Sequence, residues 1–420
     1  MRRILYLTLV LWLYSSQAGG QVMPQPLSID SVSCLHTENG QDQLKFPAGH
    51  KAFDVLYRRL DTLFLEGRGQ VNVLHIGGSH VQAGYFPHRV RTDFATLGHP
   101  TVGSIGLLFP FGALGTNAPY GYEVVCTGTW TGERCISREP LCPMGLSGAY
   151  ALTRDTAATI TVDLSFLGTW PATSLRVLGD GEDEGVRPIL LCRGDTLEPL
   201  PSDGRTGYLF PLLSASWPTP PSACTISFRG IVQDSLGFVL RGLLPEGHTS
   251  GLTYTASGIN GAAVPSWLRC SLLERELALV APDLVVFGIG INDANVLPQA
   301  FDAEQFKENY RQLMRLIRRV SPQCCFLFVT NNDCWFNVRG RRRQFNTNTV
   351  RVQKAMDELA RESGGAVFDV FALMGGQGAS AAWVAAGLQR PDHIHFTREG
   401  YELLGDMLYN ALVNDYLDAE

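Results

Sequence analysis

The feature that most constrains the fold is an alternation of continuous apolar runs with helically spaced stretches, present at both ends of the chain. VNVLHI (71–76), DLVVFGIG (283–290) and CCFLFVT (324–330) are such runs, and helical spacing follows each of them. Strands of a parallel sheet are buried on both faces, so they are apolar throughout. The pattern therefore predicts an α/β domain, with one parallel sheet covered by helices on both faces.

Residues 103–249 show a different hydrophobic pattern. Short alternating runs such as ATITVDLSF (158–166) are separated by turn-forming clusters such as GDGEDEG (179–185). This spacing is typical of an antiparallel β-sandwich. We predict that a sandwich of residues 103–249 is inserted into an α/β domain formed by residues 19–102 and 250–420. The sandwich is either a structural elaboration or a carbohydrate-binding module, and the sequence leaves both roles open.

The first residues have the pattern of a secretory leader. Two arginines precede an apolar run from Ile4 to Tyr14, and small residues follow. That run is short for a bilayer span, so a permanent anchor is the less favoured reading. We predict that residues 1–18 are a signal peptide. The mature protein is then exported, periplasmic or secreted, with no stable membrane insertion after cleavage.

Charge and cysteine content exclude some classes of function. The formal net charge is −6, and it becomes more negative once the two leader arginines are removed, which argues against nucleic acid as a partner. The ten cysteines are irregularly spaced and contain no pair of CxxC elements, so no structural zinc site is expected. An exported chain permits disulfides, but their pairing stays open. No metal and no cofactor are predicted.

Polar residues stand where the predicted parallel strands end. Ser79 follows the first strand in GGSH, Gly261 follows the second in SGINGA, and Asn292 follows the third in GIND. Asp392 and His395 lie in DHIHFT, between the last strand and the final helix. In an open α/β sheet, ligands bind beyond the carboxyl ends of the strands. These five residues are therefore expected at one edge of the sheet.

Together these residues supply every group that acyl transfer to a serine needs. His395 is the base for the Ser79 hydroxyl, and Asp392 fixes the tautomer of His395. The oxyanion needs hydrogen-bond donors. We predict the Ser79 amide, the Gly261 amide and the Asn292 side-chain amide in that role.

Four blocks in the order Ser, Gly, Asn and Asp-x-x-His resemble the SGNH hydrolase superfamily, also called GDSL esterases. The resemblance covers residues 51–98 and 252–420. It implies a flavodoxin-like parallel sheet and a carboxylic ester hydrolase. GSHVQAG, MGGQG and DHIHFTREGY look like bacterial exported members, some of which carry an inserted β-domain and remove O-acetyl groups from peptidoglycan or other glycans. One departure is Gly78, where the family usually has an aspartate that could brace the turn.

The resemblance implies a serine acetylesterase acting on a cell-wall or extracellular polysaccharide through an acyl-enzyme, with an acylated glycan or peptidoglycan as its partner. An O-acetyltransferase with the same triad is one alternative, because a sugar hydroxyl replaces water in that reaction. A glycan-binding protein with weak or no catalysis is the other, motivated by Gly78 and the β-insertion.

Three further residues are predicted to contact substrate. Arg341 lies in the basic loop NVRGRRRQF and is expected to meet an anionic substrate, the competing reading being a solvated loop. Trp335 and Trp383 are expected to line the cleft and stack on sugars. Packing in the core is the competing reading for both tryptophans.

Overall fold

The computed structural model describes residues 21–419 apart from 31, 38–39, 41, 99–100, 169, 171, 214–217, 248–249 and 337–343. The predicted leader and Arg341 therefore lie outside the described residues. In chain order the strands are β1 (Leu44–Lys45), β2 (Gln70–Gly77), β3 (Val124–Thr127), β4 (Thr131–Arg134), β5 (Ala149–Thr153), β6 (Thr159–Asp163), β7 (Ser174–Gly181), β8 (Arg187–Cys192), β9 (Asp195–Leu197), β10 (Tyr208–Pro211), β11 (Ala223–Arg229), β12 (Phe238–Glu246), β13 (Gly251–Gly258), β14 (Leu284–Gly288), β15 (Cys325–Val329) and β16 (Ala366–Phe368).

The α-helices of the same residues are α1 (Asp54–Phe64), α2 (Ser79–Gln82), α3 (Tyr85–Ala95), α4 (Val264–Leu268), α5 (Leu273–Val280), α6 (Ile291–Ala294), α7 (Ala303–Val320), α8 (Asn348–Ser363), α9 (Val370–Leu373), α10 (Ser380–Ala385) and α11 (Arg398–Asp418). Short 3-10 helices cover His50–Phe53, Phe111–Leu114, Ser165–Gly168 and Pro298–Ala300. Within the described ranges, no helix combines the length and the apolar character needed to cross a membrane.

The six-stranded sheet has the order β1-β16-β15-β14-β2-β13. All its pairs are parallel except β1 with β16. Alternate side chains of β14 face opposite layers: Val285 and Phe287 join the core that includes α4, α5, α7 and α8, whereas Leu284 and Val286 join the core that includes α1, α3 and α11. Burial on both faces explains the continuous apolar runs. The predicted α/β class is confirmed.

The other two sheets are antiparallel, with the orders β10-β7-β12-β5-β4 and β3-β6-β11-β8-β9. Ile160 and Ile226 of the second sheet share one buried cluster with Val177 and Leu240 of the first. The two sheets thus pack face to face as a sandwich. All ten of these strands lie between Val124 and Glu246 in the chain.

The sandwich is joined to the parallel sheet by its two chain ends. Val102 pairs with Leu252 at the start of β13, and Leu108 pairs with Leu243 of β12. The entering and leaving segments therefore run side by side. Leu107, Tyr150 and Leu244 belong to the same buried cluster as α4 and α5, so part of the sandwich shares a core with the α/β domain.

Helical spacing predicts helices over residues 81–98 and 263–280, and the structure breaks both where another segment reaches them. The predicted helix through residues 81–98 is interrupted at Gly84, whose φ is +85°. A Cβ there would lie 2.3 Å from the backbone nitrogen of Tyr120, so the close approach of that segment requires glycine. In the predicted helix 263–280, the amide of Leu272 donates to the carbonyl of Met144 instead of continuing α4.

The last parallel strand is shorter than its sequence indicates. AVFDVFA (366–372) predicts a strand throughout, but β16 ends at Phe368. Asp369 then accepts a hydrogen bond from the amide of Ala372 and caps α9.

All ten cysteines are free thiols in the structure, including Cys126, Cys135 and Cys142, which the sequence left open to local bridging.

Candidate active site

The site lies where three neighbouring parallel strands end at the same level. Gly77 of β2 is aligned with Gly258 of β13 on one side and with Gly288 of β14 on the other. The loops that follow carry Ser79, Gly261 and Asn292, and all three line one cleft. Parallel strands in register therefore bring residues together that are far apart in the chain.

Ser79, His395 and Asp392 form a continuous hydrogen-bonded chain. Ser79 Oγ is 2.9 Å from His395 Nε2, and His395 Nδ1 is 2.9 Å from Asp392 Oδ2. The other carboxylate oxygen of Asp392 accepts the backbone N–H groups of Ile394 and His395, at 2.8 and 2.9 Å. Burial alone would raise the pKa of Asp392, but the hydrogen bonds from His395 and Ile394 outweigh it and hold that pKa well below its usual range. Asp392 is thus held as a carboxylate facing the imidazole.

Asn292 is fixed in orientation beside Ser79. Its Nδ2 donates to the carbonyl of Ala262 at 2.9 Å, which leaves the second N–H of the amide for another acceptor. The neighbouring Asp293 accepts the backbone N–H of Val264, at the start of α4. Gly261 has a φ of +81°, a conformation that favours glycine.

Gln82 is a buried residue that the sequence analysis missed. Its Oε1 accepts the backbone N–H of Asn260 at 2.6 Å, and its Nε2 donates to the carbonyl of Asn117 at 3.0 Å. These bonds link the helix that begins at Ser79 to the turn that carries Gly261. Gln82 lies three residues after Ser79, so the i, i+3 spacing on α2 was the available sequence signal.

Gly78 stands where the family usually has aspartate, and Ser79 is nonetheless within hydrogen-bond distance of His395. A Cβ at Gly78 would lie 3.2 Å from Asn292 Nδ2 and 3.5 Å from the carbonyl of Ala262. In this chain a side chain at position 78 would therefore press on the Asn292 amide, the donor predicted for the oxyanion hole.

The loop that carries Asp392 and His395 is anchored by His393, which contacts Trp335 and Ser380. His393 has a φ of +58°, and its ring stacks on Trp335 at 3.8 Å between centroids and 2° between planes. His393 Nδ1 is 2.8 Å from Ser380 Oγ. Trp335 therefore packs on the catalytic loop and is absent from the described residues that line the cleft.

Trp383 is placed in the core, so its predicted role in substrate contact is wrong. Its side chain is fully buried, and its Nε1 donates to the carbonyl of Cys34 at 3.2 Å. The partner carbonyl lies in the N-terminal segment that packs over α10. A tryptophan enclosed in this way cannot stack on a sugar.

An aromatic wall of the cleft was not predicted. The cleft has a volume of about 1070 Å³. Tyr85 and Tyr120 stack with centroids 4.6 Å apart, and the Arg398 guanidinium lies 5.0 Å from the centroid of the Tyr120 ring. Asn117 and Asn260 add amide groups to the same cleft. Tyrosine rings and amides are groups that bind sugar faces and hydroxyls.

His80 is buried beside His395. Its Nδ1 is 2.8 Å from the Tyr401 hydroxyl, and its ring centroid is 5.5 Å from that of His395. Burial, followed by the proximity of His395, lowers the pKa of His80 to about 3. His80 is therefore neutral and adds no positive charge that would oppose protonation of His395.

Residues 227–403 match the sequence profile of the GDSL-like lipase/acylhydrolase family. No curated protein sequence matches the chain.

Solved structures resemble the chain in fold. A peptidoglycan O-acetylesterase is 21% identical with a TM-score of 0.69, over 89% of this chain and 99% of that chain. An acetyl xylan esterase, AlAXEase, is 17% identical with a TM-score of 0.31, over 38% and 81%. A lipase/acylhydrolase from Enterococcus faecalis is 23% identical with a TM-score of 0.30, over 40% and 78%. The first match is long enough to include part of the inserted sandwich as well as the parallel sheet.

Proposed function

We propose that this chain is an SGNH-type ester hydrolase, which the match of residues 227–403 to the GDSL-like lipase/acylhydrolase profile supports, and that it removes O-acetyl groups from a cell-wall or extracellular polysaccharide. The observation that carries the proposal is the unbroken chain of 2.9 Å contacts from Ser79 Oγ through His395 to Asp392. The peptidoglycan O-acetylesterase of similar fold supports a glycan ester as substrate. The predicted leader agrees with a substrate outside the cell.

The reaction begins with attack of Ser79 Oγ on the ester carbonyl, while His395 Nε2 takes the hydroxyl proton. The tetrahedral intermediate collapses, and the protonated His395 gives its proton to the departing sugar oxygen. An acetyl-enzyme remains. Water, activated by His395 in turn, attacks the acetyl carbonyl, and acetate leaves as Ser79 Oγ regains its proton.

Negative charge on the carbonyl oxygen is stabilised by donors that are fixed before the reaction starts. The Asn292 amide is held by Ala262, and the turn of Gly261 is held through Asn260 by Gln82. The backbone amide of Ser79 completes the set. Donors that need no reorganisation contribute strongly to such transition states.

A polysaccharide suits the shape and the chemistry of the cleft. Acetate itself is small, whereas a volume of about 1070 Å³ leaves room for sugar residues on the alcohol side of the ester. Tyr85 and Tyr120 present an aromatic surface at that side, and Asn117 and Asn260 present amides. This wall is the proposed contact surface for the glycan.

The test is hydrolysis of a chromogenic acetate ester and of an O-acetylated glycan by wild type and by Ser79→Ala. We expect kcat to fall by roughly 10⁴-fold or more in the variant, because the nucleophile is removed. Ser235→Ala, at an exposed turn of the sandwich, is the matched control and should keep the wild-type rate. Equal rates for wild type and Ser79→Ala would overturn the nucleophile assignment.

Acetyl transfer to a sugar hydroxyl uses the same serine, histidine and aspartate, so the assay measures both free acetate and newly acetylated sugar. Release of acetate without new acetylated sugar supports the hydrolase. Acetylated acceptor in the presence of an acetyl donor would identify a transferase. Glycan binding by wild-type protein that turns over no ester would identify a binding protein.

A further inference from the structure

Two arginines line the cleft beside Ser79, although the chain as a whole is negative. Arg390 and Arg398 line it, and none of the described lining residues is aspartate or glutamate. The formal net charge of the chain is −6. A cleft lined by one sign of charge attracts ligands of the opposite sign.

The two arginines differ in what neutralises them. Arg398 donates from Nε to Glu402 at 2.8 Å, and its guanidinium covers the Tyr120 ring. Arg390 is exposed, and no ion pair among the described residues includes it. Arg398 with Glu402 is neutral as a pair, and the Asp392 carboxylate is engaged with His395 and the loop backbone, so Arg390 is the cleft arginine without a carboxylate partner among the described residues.

Arg390 projects from a backbone that is already fixed. Its amide donates to the carbonyl of His395 at 2.8 Å, and its carbonyl accepts from the amide of His393 at 2.9 Å. These bonds belong to the loop that carries His395, so the backbone from which the Arg390 side chain extends is held at a set place relative to Ser79. Burial raises the pKa of Tyr401, a cleft residue, and the positive charge of Arg390 acts on it in the opposite direction. The charge of Arg390 is therefore felt inside the cleft.

We propose that Arg390 binds a carboxylate on the sugar that carries the acetyl group, so that the preferred substrate is an acidic glycan. The inference rests on the proposed acetylesterase function. A planar guanidinium fork matches a carboxylate in charge-assisted, bidentate geometry. A single guanidinium suits a singly charged carboxylate better than a doubly charged phosphate ester. Neighbouring Tyr120 would contact the sugar ring while Arg390 holds its acid group.

The experiment compares two substrates that differ in one charge: an O-acetylated methyl glucuronoside and the methyl ester of the same sugar. We expect wild type to prefer the acid by about tenfold or more in kcat/KM. Arg390→Gln should reduce kcat/KM for the acid by roughly 10- to 100-fold and for the ester much less. Arg390→Lys keeps the positive charge but lacks the bidentate guanidinium geometry. Its kcat/KM for the acid should therefore lie between the values of wild type and Arg390→Gln.

The matched control is Arg58→Gln, which removes the same charge from an exposed position on α1, remote from the cleft. It should leave the acid preference of wild type unchanged. Thermal unfolding of Arg390→Gln should match wild type, since the exposed side chain can be replaced while its backbone hydrogen bonds remain. Raising the ionic strength should weaken the acid preference of wild type and have little effect on Arg390→Gln.

Failure of this inference can be told apart from failure of the proposed function. Wild type that hydrolyses both sugars equally well would overturn the carboxylate assignment and leave the esterase in place. If neither sugar is hydrolysed, the result counts against the esterase function. The role of Arg390 is then tested by measuring how tightly the two sugars bind. Equal Kd values of the two sugars for the Ser79→Ala protein would overturn the role of Arg390; tighter binding of the acid, lost in Ser79→Ala/Arg390→Gln, would support it.

Discussion

Asp392 has two tasks at the level of single atoms. One oxygen accepts two backbone N–H groups and shapes the loop, and the other faces His395 Nδ1. The carboxylate therefore decides which nitrogen of His395 carries the proton. With Nδ1–H directed at Asp392, Nε2 is left as the acceptor for the Ser79 hydroxyl.

Asp392→Asn should preserve the conformation of the loop but abolish most of the catalytic activity. The asparagine oxygen still accepts the backbone amides, but its NH₂ group donates to Nδ1 and moves the imidazole proton to Nε2. We expect kcat to fall by roughly 10³- to 10⁴-fold with a small change in KM. Asp195→Asn, at an exposed position of the sandwich, is the control in the same ester assay. A kcat within tenfold of wild type would show that Asp392 does not orient His395.

Residue identity predicted that Ser79, Asp392 and His395 lie together, because strand ends of a parallel sheet converge whatever their separation in the chain. Their catalytic roles stay a prediction. Tyr120 and Arg390 could not be found in this way. Tyr120 reaches the cleft from the segment that leads into the sandwich, and its position depends on the contact with Gly84. Trp383 shows the reverse limit: aromatic character gives no indication of whether a ring is exposed or enclosed.

At the level of elements, the start of α4 depends on a buried carboxylate. Asp293 accepts the amide of Val264, and burial raises the pKa of Asp293 to about 7. Asp293 directly follows Asn292 in α6, so this contact ties the predicted oxyanion-hole residue to the helix that follows Gly261. The predicted helices over residues 81–98 and 263–280 are interrupted by contacts with distant segments. Hydrophobic periodicity gives no indication of such contacts.

Asp293→Asn should flatten the dependence of stability on pH. The pKa is higher in the folded state than the ordinary value of about 3.9, so the folded state binds the proton more tightly. The free energy of unfolding of wild type should therefore fall as pH rises from about 4 to about 7. Urea unfolding at pH 4.5 and 7.5 measures the difference, which we expect to shrink by about 1–3 kcal/mol in the variant. Parallel pH profiles for the two proteins would contradict this expectation.

At the level of the whole molecule, the sandwich and the α/β domain are held together by a buried ion pair as well as by a shared core. Arg241 of β12 donates from Nε to Glu276 of α5 at 2.7 Å, and Glu276 is fully buried. The second carboxylate oxygen of Glu276 accepts the amide of Leu146. Burial raises the pKa of Glu276, against the opposing effect of Arg241. Part of the sandwich therefore belongs to the same core as the α/β domain.

Arg241→Met should destabilise the whole chain, because it leaves the Glu276 carboxylate buried without its cation. We expect a loss of about 3–5 kcal/mol in the free energy of unfolding. Arg241→Met/Glu276→Gln should recover part of that loss. Arg311→Met, which breaks a more exposed pair with Glu362, is the control and should cost at most about 1 kcal/mol. Equal unfolding midpoints for Arg241→Met and the control would show that the buried pair adds nothing.

The side-by-side course of the chain at Val102 with Leu252 also sets an order of assembly. Strands β2 and β13 are neighbours in the sheet, yet residues 78–250 lie between them, and closing so long a loop costs entropy before any contact repays it. A folded sandwich removes most of that cost, because its own pairing of Leu108 with Leu243 already brings the two ends together. We therefore expect Ser79 and Gly261 to meet after the sandwich has formed, and a slow-folding sandwich to delay the gain of activity during refolding.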